Sequence, residues 1–582
     1  MDRSRNIAWE VASALRGFVN DRGCSFIAVM AVCHAKRAAL GRFNADIINS
    51  ADIVSKLIEA VRETDKEGCV SHLVEEVFTS GRYLVDPDKA VKRVYGILPS
   101  DPDELAAIIL DIELEEGLAS QFMGFDGVTP HSVMELAVKA LEIADGNRVA
   151  DFGTGTGSFL VRASREADCE LVYGCDVSMT SVAIAKMRAE VIGPNAIVEQ
   201  ADMFRVDGSF DKCFSNYPFA MKMGGFKEEV LESLKQQGFE GIPHFHSSDW
   251  LFNLQLIAKL KEGGKAVGIM TRGSSYNGAD EKIRRHFVAN GWIEAVIALP
   301  AGMFSPHTGI PTMMVVLSED NDSVRLIDAS RLCQKGRRET TFSEGDIAEI
   351  MRLLNEDEGG LSKLMDYDEL ADDGFILNPE RHLGEAIEVK DGVSIDSLSI
   401  NITRGSGWAK RQLEEFNSHA PTKFRYLMLQ NIIDGEVEDD LPYLTEIDPS
   451  QDKYCVKDGD LLLSKIGPNF KVAVAEIPEG EKVLATGNLY IISLNQEKVD
   501  PRYVKLYLNT DQGVAQLRRA CVGTTIPSIP AKAFAGIMIP MMSLNDQVKI
   551  IERYEVLRQE IAIHKMAIQK ARQKMASLLD EE

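Results

Sequence analysis

No stretch of this chain stays apolar for the ~18 residues a membrane-crossing helix requires, which argues against a membrane span. Cysteine is sparse: 9 in 582 residues, with no C-x-x-C pair, which argues against a disulfide scaffold and a zinc-finger site, and no metal is expected. No G-x-x-x-x-G-K-[ST] phosphate loop is present, so no nucleotide-driven motor is expected in this sequence. The opening MDRSRNIAWEV lacks the basic-then-apolar shape of a secretory leader, and a cytoplasmic location is the expectation. Positive charge is also short. Lys and Arg total 64 against 89 Asp and Glu, a net charge of −25. Phosphate attraction dominates nucleic-acid affinity, so a nucleic-acid partner would need a local basic surface. About −21 of the charge falls before residue 386 and about −4 after it, which leaves the later region the more plausible place for one.

What is present is ordinary for a protein with sizeable cores, with 45% hydrophobic and 26% charged residues. Residues 1–120 read as helical, with Ile7, Val11, Leu15 and Phe18 at three- and four-residue spacing. They carry no evident chemistry and read as a packing or docking domain. Residues 121–385 change to short apolar strands alternating with helices, which implies a mostly parallel sheet. The strands expected are Arg148–Phe152, Leu171–Asp176, Ile197–Asp202, Asp211–Asn216, Ala266–Met270, Ile293–Leu299 and Met313–Leu317. The last two are joined only by 300-PAGMFSPHTGIP, too short for a crossover helix, so an antiparallel last strand is expected. Arg284 and Arg285 read as a solvated helix face, and the acidic stretch 331–395 as a tail of this second domain plus a linker. Residues 396–544 are rich in short strands, and 545–582 form one helix.

The sharpest local signal is 150-ADFGTGTGSFL. Asp151 ends a strand, and Gly153, Gly155 and Gly157, with Thr154 and Thr156 between them, turn the backbone into a helix N-terminus. The dinucleotide pattern G-x-G-x-x-G fails at Ser158. The spacing D-x-G-x-G-x-G suits S-adenosylmethionine, whose cationic methionine end can meet Asp151. Asp176 ends the second strand, placed for ribose hydroxyls. Asp202 and the Met203 amide follow the third, placed for the adenine edge. A single acid at a strand end is usually a helix cap; three in register behind a glycine loop are not.

After the fourth strand stands 215-SNYPF. It resembles the [N/D/S]-P-P-[Y/F/W] signature of amino-methyltransferases. A ring-conjugated exocyclic amine is a poor nucleophile because its lone pair is delocalised. Accepting both its hydrogens, one on the Asn216 side-chain oxygen and one on the Tyr217 carbonyl, draws the nitrogen toward tetrahedral geometry. Pro218 stiffens the turn, and Phe219 can stack on a flipped-out base. Tyr217 replaces the usual first proline, so the acceptor survives while the rigidity of Pro-Pro does not.

Over nearly the whole length the sequence is similar to the modification subunit of type I restriction–modification systems, joined to one half of a specificity subunit. In 121-QFMGFDGVTPHSVMELAVKAL, Thr129 and Pro130 match a Thr-Pro that the family places at the cofactor's methionine end, with Gly127–Val128 in place of its aromatic pair. The stretch 281–317 resembles the family's long C-terminal motif. 454-YCVKDGDLLLSKIG, with turns at Gly459 and Gly467, and 522-VGTTIPSIPAKAFAGIMIPMMSLNDQVKII resemble a target-recognition domain. There Arg404, Lys410, Arg411, Lys423 and Arg425, interleaved with Trp408, Phe424 and Tyr426, and Lys465 further on, are the candidate DNA contacts. The final helix repeats Ile550, Tyr554, Leu557, Ile561, His564, Ile568, Ala571, Met575 and Leu578 in coiled-coil spacing.

The resemblance therefore implies an α/β, Rossmann-like SAM-dependent methyltransferase, preceded by helices and followed by an α+β recognition domain with a coiled-coil helix. It would be a site-specific adenine-N6 DNA methyltransferase using S-adenosylmethionine and double-stranded DNA. With one recognition domain and one such helix, the expectation is a homodimer paired through the terminal helix; if the chain belongs to a restriction system, cleavage falls to a separate nuclease/translocase subunit. The alternatives are an amino-methyltransferase acting on RNA or protein glutamine, and a catalytically impaired DNA-binding or assembly subunit. The tetrapeptide alone does not separate adenine from cytosine.

Overall fold

A computed structural model describes residues 2–19, 22–40, 52–112, 129–305, 308–335, 340–356, 360–383, 389–408, 410–433, 435–466, 470–521 and 528–577. The segment 121–128, Gly467 and Leu578, all used above, lie outside the described residues. The chain divides into two units, residues 1–384 and 385–582.

In the first unit, helices Asp2–Ala14, Arg22–Ala38, Ile53–Thr64, Cys69–Thr79, Pro87–Ile97 and Pro102–Asp111 form the N-terminal layer. Two of their starts are written locally. Asp86 and Asp101 cap them, Asp86 accepting from Lys89 N–H and Asp101 from Asp103 and Glu104 N–H, and Pro87 and Pro102 supply the fixed φ that suits a first helical turn. The layer does not keep a core of its own. Val11, Leu15, Leu57, Val61 and Val74 share one with Ala183, Ile184 and Met187 of helix Met179–Ile192. That helix has apolar residues on two sides, because its opposite side, through Val182 and Ala185, packs on the sheet.

The sheet contains β1 (Arg148–Phe152), β2 (Leu171–Asp176), β3 (Ala196–Gln200), β4 (Phe210–Ser215), β5 (Leu260–Thr271), β6 (Ile293–Ala298), β7 (Thr312–Leu317), β8 (Ser323–Asp328) and a ninth strand, Ser362–Asp366. Their spatial order is Ser362–Asp366, β8, β6, β7, β5, β4, β1, β2, β3. The pairs among β1 to β5 are parallel, and β7 runs antiparallel to both neighbours, with Val315 opposite Gly268 and Val296. The antiparallel pair expected from the short 300–311 link is present, but not at the sheet's end. Thr312–Leu317 is buried throughout and occupies an interior position, as a two-faced apolar run requires. β8 and Ser362–Asp366 then extend the sheet, so the tail expected after residue 331 contributes an edge strand to it. Arg284 explains part of this. It is buried, not solvated, and its guanidinium donates to the Phe375 carbonyl at 2.6 Å and the Asn277 carbonyl at 2.7 Å.

The second unit holds a four-stranded sheet in the order Ser399–Arg404, Leu489–Leu494, Leu461–Ser464, Val472–Val474. A five-stranded sheet runs Asn417–Ser418, Tyr443–Leu444, Phe424–Leu427, Lys482–Ala485, Cys455–Val456. Helix Leu544–Ser577 begins on this unit's own core through the buried Gln547 and Ile551. Ile550, the first residue of the expected seam, also packs on that core, while the next two, Tyr554 and Leu557, are 37% and 58% exposed. No described helix is long and apolar enough to cross a membrane.

Candidate active site

β1 delivers Asp151 to the carboxyl edge of the sheet, and the three glycines after it take φ values of +79°, +54° and +80°, a region that L side chains avoid. A side chain at Gly153 or Gly155 would meet open space, so backbone conformation alone selects glycine there. At Gly157 a Cβ would also lie 3.1 Å from the Ala185 Cβ, which fixes how closely the following helix, Ser158–Glu166, approaches its neighbour. The turn is pinned from β2: Gly153 and Thr154 N–H both donate to the Cys175 carbonyl at 2.9 Å. Gly155 N–H donates to Asp176 Oδ2 at 2.9 Å.

Asp151 is 2% exposed. One carboxylate oxygen accepts from the Thr154 hydroxyl at 2.9 Å, and the other has no partner among the described residues. Burial, reinforced by the Asp176 charge, pushes its carboxyl up to about 7. A buried anion with an unpaired oxygen beside a left-handed glycine turn is suited to a small cation, and a methionine ammonium group fits it. Asp176 is half-buried and accepts Ser178 N–H at 2.8 Å as well as Gly155 N–H, so it shapes the loop. Asp202 caps the short turn Met203–Arg205 through Phe204 N–H, and the Met203 carbonyl accepts from Gln255 at 3.2 Å. The Thr156 hydroxyl meets Ser158 at 3.2 Å. These side chains gather at the ends of β1, β2 and β3, where open α/β sheets bind ligands.

The tetrapeptide follows β4, the neighbour of β1, with Phe214 opposite Asp151. Ser215 ties the two strands together, its hydroxyl donating to the Phe152 carbonyl at 2.5 Å. Asn216 is half-buried, and its amide nitrogen donates to the Thr129 hydroxyl at 2.8 Å. The Thr-Pro segment and the tetrapeptide thus meet, although 87 residues separate them. Pro130 caps helix His131–Leu141. Pro218 is exposed, and the Phe219 ring sits edge-on to Phe304 at 5.6 Å. Tyr217 is buried, so its ring packs beneath the site while its carbonyl belongs to the loop. Among the described residues no group of three or more His, Cys, Asp or Glu could hold a metal.

Several residues escaped the sequence reading. Arg188, 1% exposed, donates to the carbonyls of Ile109 and Ile112 and to Thr156 and Ser158. It joins the end of the N-terminal layer to the glycine turn, and nothing local in the sequence announces it. Asp249, Asn253 and Gln255 are buried in the otherwise apolar helix Ser248–Ala258. Polar residues inside an apolar helical run were the available signal.

In the second unit the basic set divides. Arg425 is a correction. It is buried, donating to the carbonyls of Leu441 and Asp439 and pairing with Glu481, so it holds the fold together and is not free for a phosphate. The interleaved aromatics are likewise structural: Trp408, Phe424 and Tyr426 pack on Leu413, Leu444, Ile447 and Leu484. Arg404 and Lys423 are exposed, and Lys465 is half-buried. Burial and the nearby Arg404 charge push the Lys465 ammonium down, a pairing of cations that a bound anion would relieve. Lys410 and Arg411 open helix Lys410–Glu415, and their side chains lie outside the described atoms.

The family described as N-6 DNA Methylase matches residues 123–391, and the type I restriction modification DNA specificity domain matches residues 437–573. The type I restriction enzyme HindI methylase subunit of Haemophilus influenzae is 27% identical over 302 residues, which cover 47% of this chain and 67% of that protein. The MjaIX methylase subunit of Methanocaldococcus jannaschii is 24% identical over 315 residues, covering 49% of this chain and 55% of that one. The chain spans between about half and two thirds of the length of these relatives. A chain solved in work on complex assembly and conformational transition of the type I R-M system shares the fold. Its TM-score is 0.50 at 15% identity, over 66% of this chain and 91% of that one. The N-6 DNA methylase match implies S-adenosylmethionine as the cofactor. The chain therefore joins a domain of the N-6 DNA methylase family to a DNA specificity domain of the type I restriction–modification family.

Proposed function

We propose that this protein is a site-specific DNA methyltransferase that methylates adenine N6 in duplex DNA, with the target base turned out of the helix. The observation that carries the reading is the adjacency of two features on neighbouring strands: the glycine turn with its buried Asp151, and the Asn216 amide held by Thr129. Asp151 would hold the ammonium end of S-adenosylmethionine, Asp176 the ribose, and Asp202 with the Met203 amide the adenine. The cofactor supplies an electrophilic methyl group on sulfur. The chain's own part is to bind, orient and polarise. Thr129 orients the Asn216 carboxamide by taking its N–H, leaving the oxygen as the acceptor for one amine hydrogen. The Tyr217 carbonyl accepts the other, and the Phe219 ring offers the target base a stacking face. Positioning of this kind carries most of the rate in a direct methyl transfer.

Arg404, Lys423 and Lys465, with Lys410 and Arg411, are the proposed DNA contacts of the second unit. Expression in a methylation-free host, followed by mass spectrometry of digested genomic DNA, should show N6-methyladenine absent from the vector control. N4-methylcytosine in its place would transfer the reading to the other exocyclic amine, and no methylated base at all would overturn it.

Two copies pairing along the exposed Tyr554 and Leu557 face of the terminal helix would present two recognition units to a two-part site. Sedimentation should give a dimer on DNA; a monomer both free and bound would refute the pairing. DNA cleavage would fall to a separate subunit.

A further inference from the structure

Tyr217 has a side chain that the proposed chemistry does not use, yet it is among the most thoroughly buried large residues of the chain. Its hydroxyl donates to Asn253 Oδ1 at 3.0 Å, and its ring stacks on Phe252 with centroids 4.6 Å apart and planes 8° from parallel. Asn253 is fully buried. The space around the pair is closed from β5, where a Cβ on Gly268 would stand 2.7 Å from Asn253 Oδ1 and 3.3 Å from the Tyr217 ring. One helical turn earlier, Asp249 accepts from Thr271 N–H, the Thr271 hydroxyl and the Ser274 hydroxyl, which bolts the same helix to the end of β5. The helix is therefore fixed to the sheet at 249 and to the tetrapeptide at 253.

The peptide carrying residues 216–218 must hold a carbonyl and a carboxamide at fixed positions. Pro218 restricts the ψ of the residue before it, but leaves the φ of Tyr217 open. A proline at 217 would close that freedom covalently. Here a side-chain anchor can do so instead.

We propose that Asn253 is a positioning residue for methyl transfer: by gripping the Tyr217 phenol it fixes the Tyr217 carbonyl and Asn216, doing non-covalently what a second proline would do. The inference rests on the methyltransferase reading above. An amide acceptor at 253 and a phenol at 217 form one unit, and losing either end frees the loop while leaving the cofactor cradle on β1 and β2 intact.

The test is a double-mutant cycle on the full-length protein, with tritiated S-adenosylmethionine and DNA from a methylation-free host. Asn253→Ala should lower kcat about 30-fold or more while KM for S-adenosylmethionine stays within about twofold. In a Tyr217→Pro background the same Asn253→Ala change should cost less than about threefold, because proline no longer needs the anchor. Should Tyr217→Pro fail to fold, Tyr217→Phe keeps the ring on Phe252 and removes only the hydroxyl; Asn253→Ala should then add little to its defect. A full Asn253→Ala penalty in both backgrounds, or none in the wild type, overturns the proposal.

A second readout needs no activity. With 3-fluorotyrosine at position 217, the anchored ring should give two slowly exchanging fluorine resonances, merging in Asn253→Ala. Identical spectra refute the grip. A wild-type chain that transfers no methyl group while its fluorine spectra change as stated would sink the methyltransferase reading, and with it the catalytic role given to Asn253, while leaving the anchor itself observed.

Discussion

Replacing Asn216 with Ala is expected to abolish methyl transfer, by about three orders of magnitude, with the affinity for S-adenosylmethionine within a few-fold of wild type. Deleting one group aimed at a developing charge typically costs 10²–10³ in rate, and here the same truncation also removes the hydrogen bond that holds Thr129. Asn216→Asp keeps an oxygen acceptor and loses only the N–H given to Thr129, so it should retain activity within about tenfold. Single-turnover transfer measured beside calorimetric cofactor binding separates the two effects. If Asn216→Ala kept a tenth of the wild-type rate, the tetrapeptide would not be the reacting site.

Asp151→Asn should move two properties in opposite directions. The carboxyl is pushed up to about 7, mainly by burial, against a usual value of 3.8. Between these two values the folded chain holds a proton that the unfolded chain has released. Its contribution to stability is therefore full below about pH 4, declines as pH rises, and levels off above about 7. The cofactor-free Asn variant loses that slope and should melt at or above the wild-type temperature at pH 8. Binding should suffer instead. Removing one partner of a buried charge pair costs ~2–5 kcal/mol, so affinity for S-adenosylmethionine should fall about 10²-fold. In the wild type, affinity should climb close to tenfold per pH unit up to about pH 7 and then flatten. Melting curves and titrations from pH 5 to 8.5 check both. An Asn variant that binds as tightly as wild type would remove the ammonium from this site.

The folded chain also shows why the departure at Tyr217 does not by itself argue for an idle subunit. A single residue read along the sequence appears as lost rigidity. In the folded chain the phenol meets an amide 36 positions away, under a glycine with no room for a side chain. Arg425 teaches the reverse lesson. Basic residues among aromatics look like a phosphate-binding surface, but the strand Phe424–Leu427 alternates, and Arg425 falls on its inward side.

Legible in the residues alone were the glycine turn, the three acids behind it, the tetrapeptide and the order in which they occur. Each is a demand that backbone geometry or reaction chemistry places on consecutive residues, so it survives in a short window. The tertiary structure alone decided where β7 inserts, that the acidic segment after 331 adds an edge strand to the sheet, and that the N-terminal helices share a core with helix Met179–Ile192. It also decided the ties from Arg188 to Ile109 and from Tyr217 to Asn253. These depend on partners brought close only by folding, at sequence separations of 79 and 36, where no local spacing rule applies.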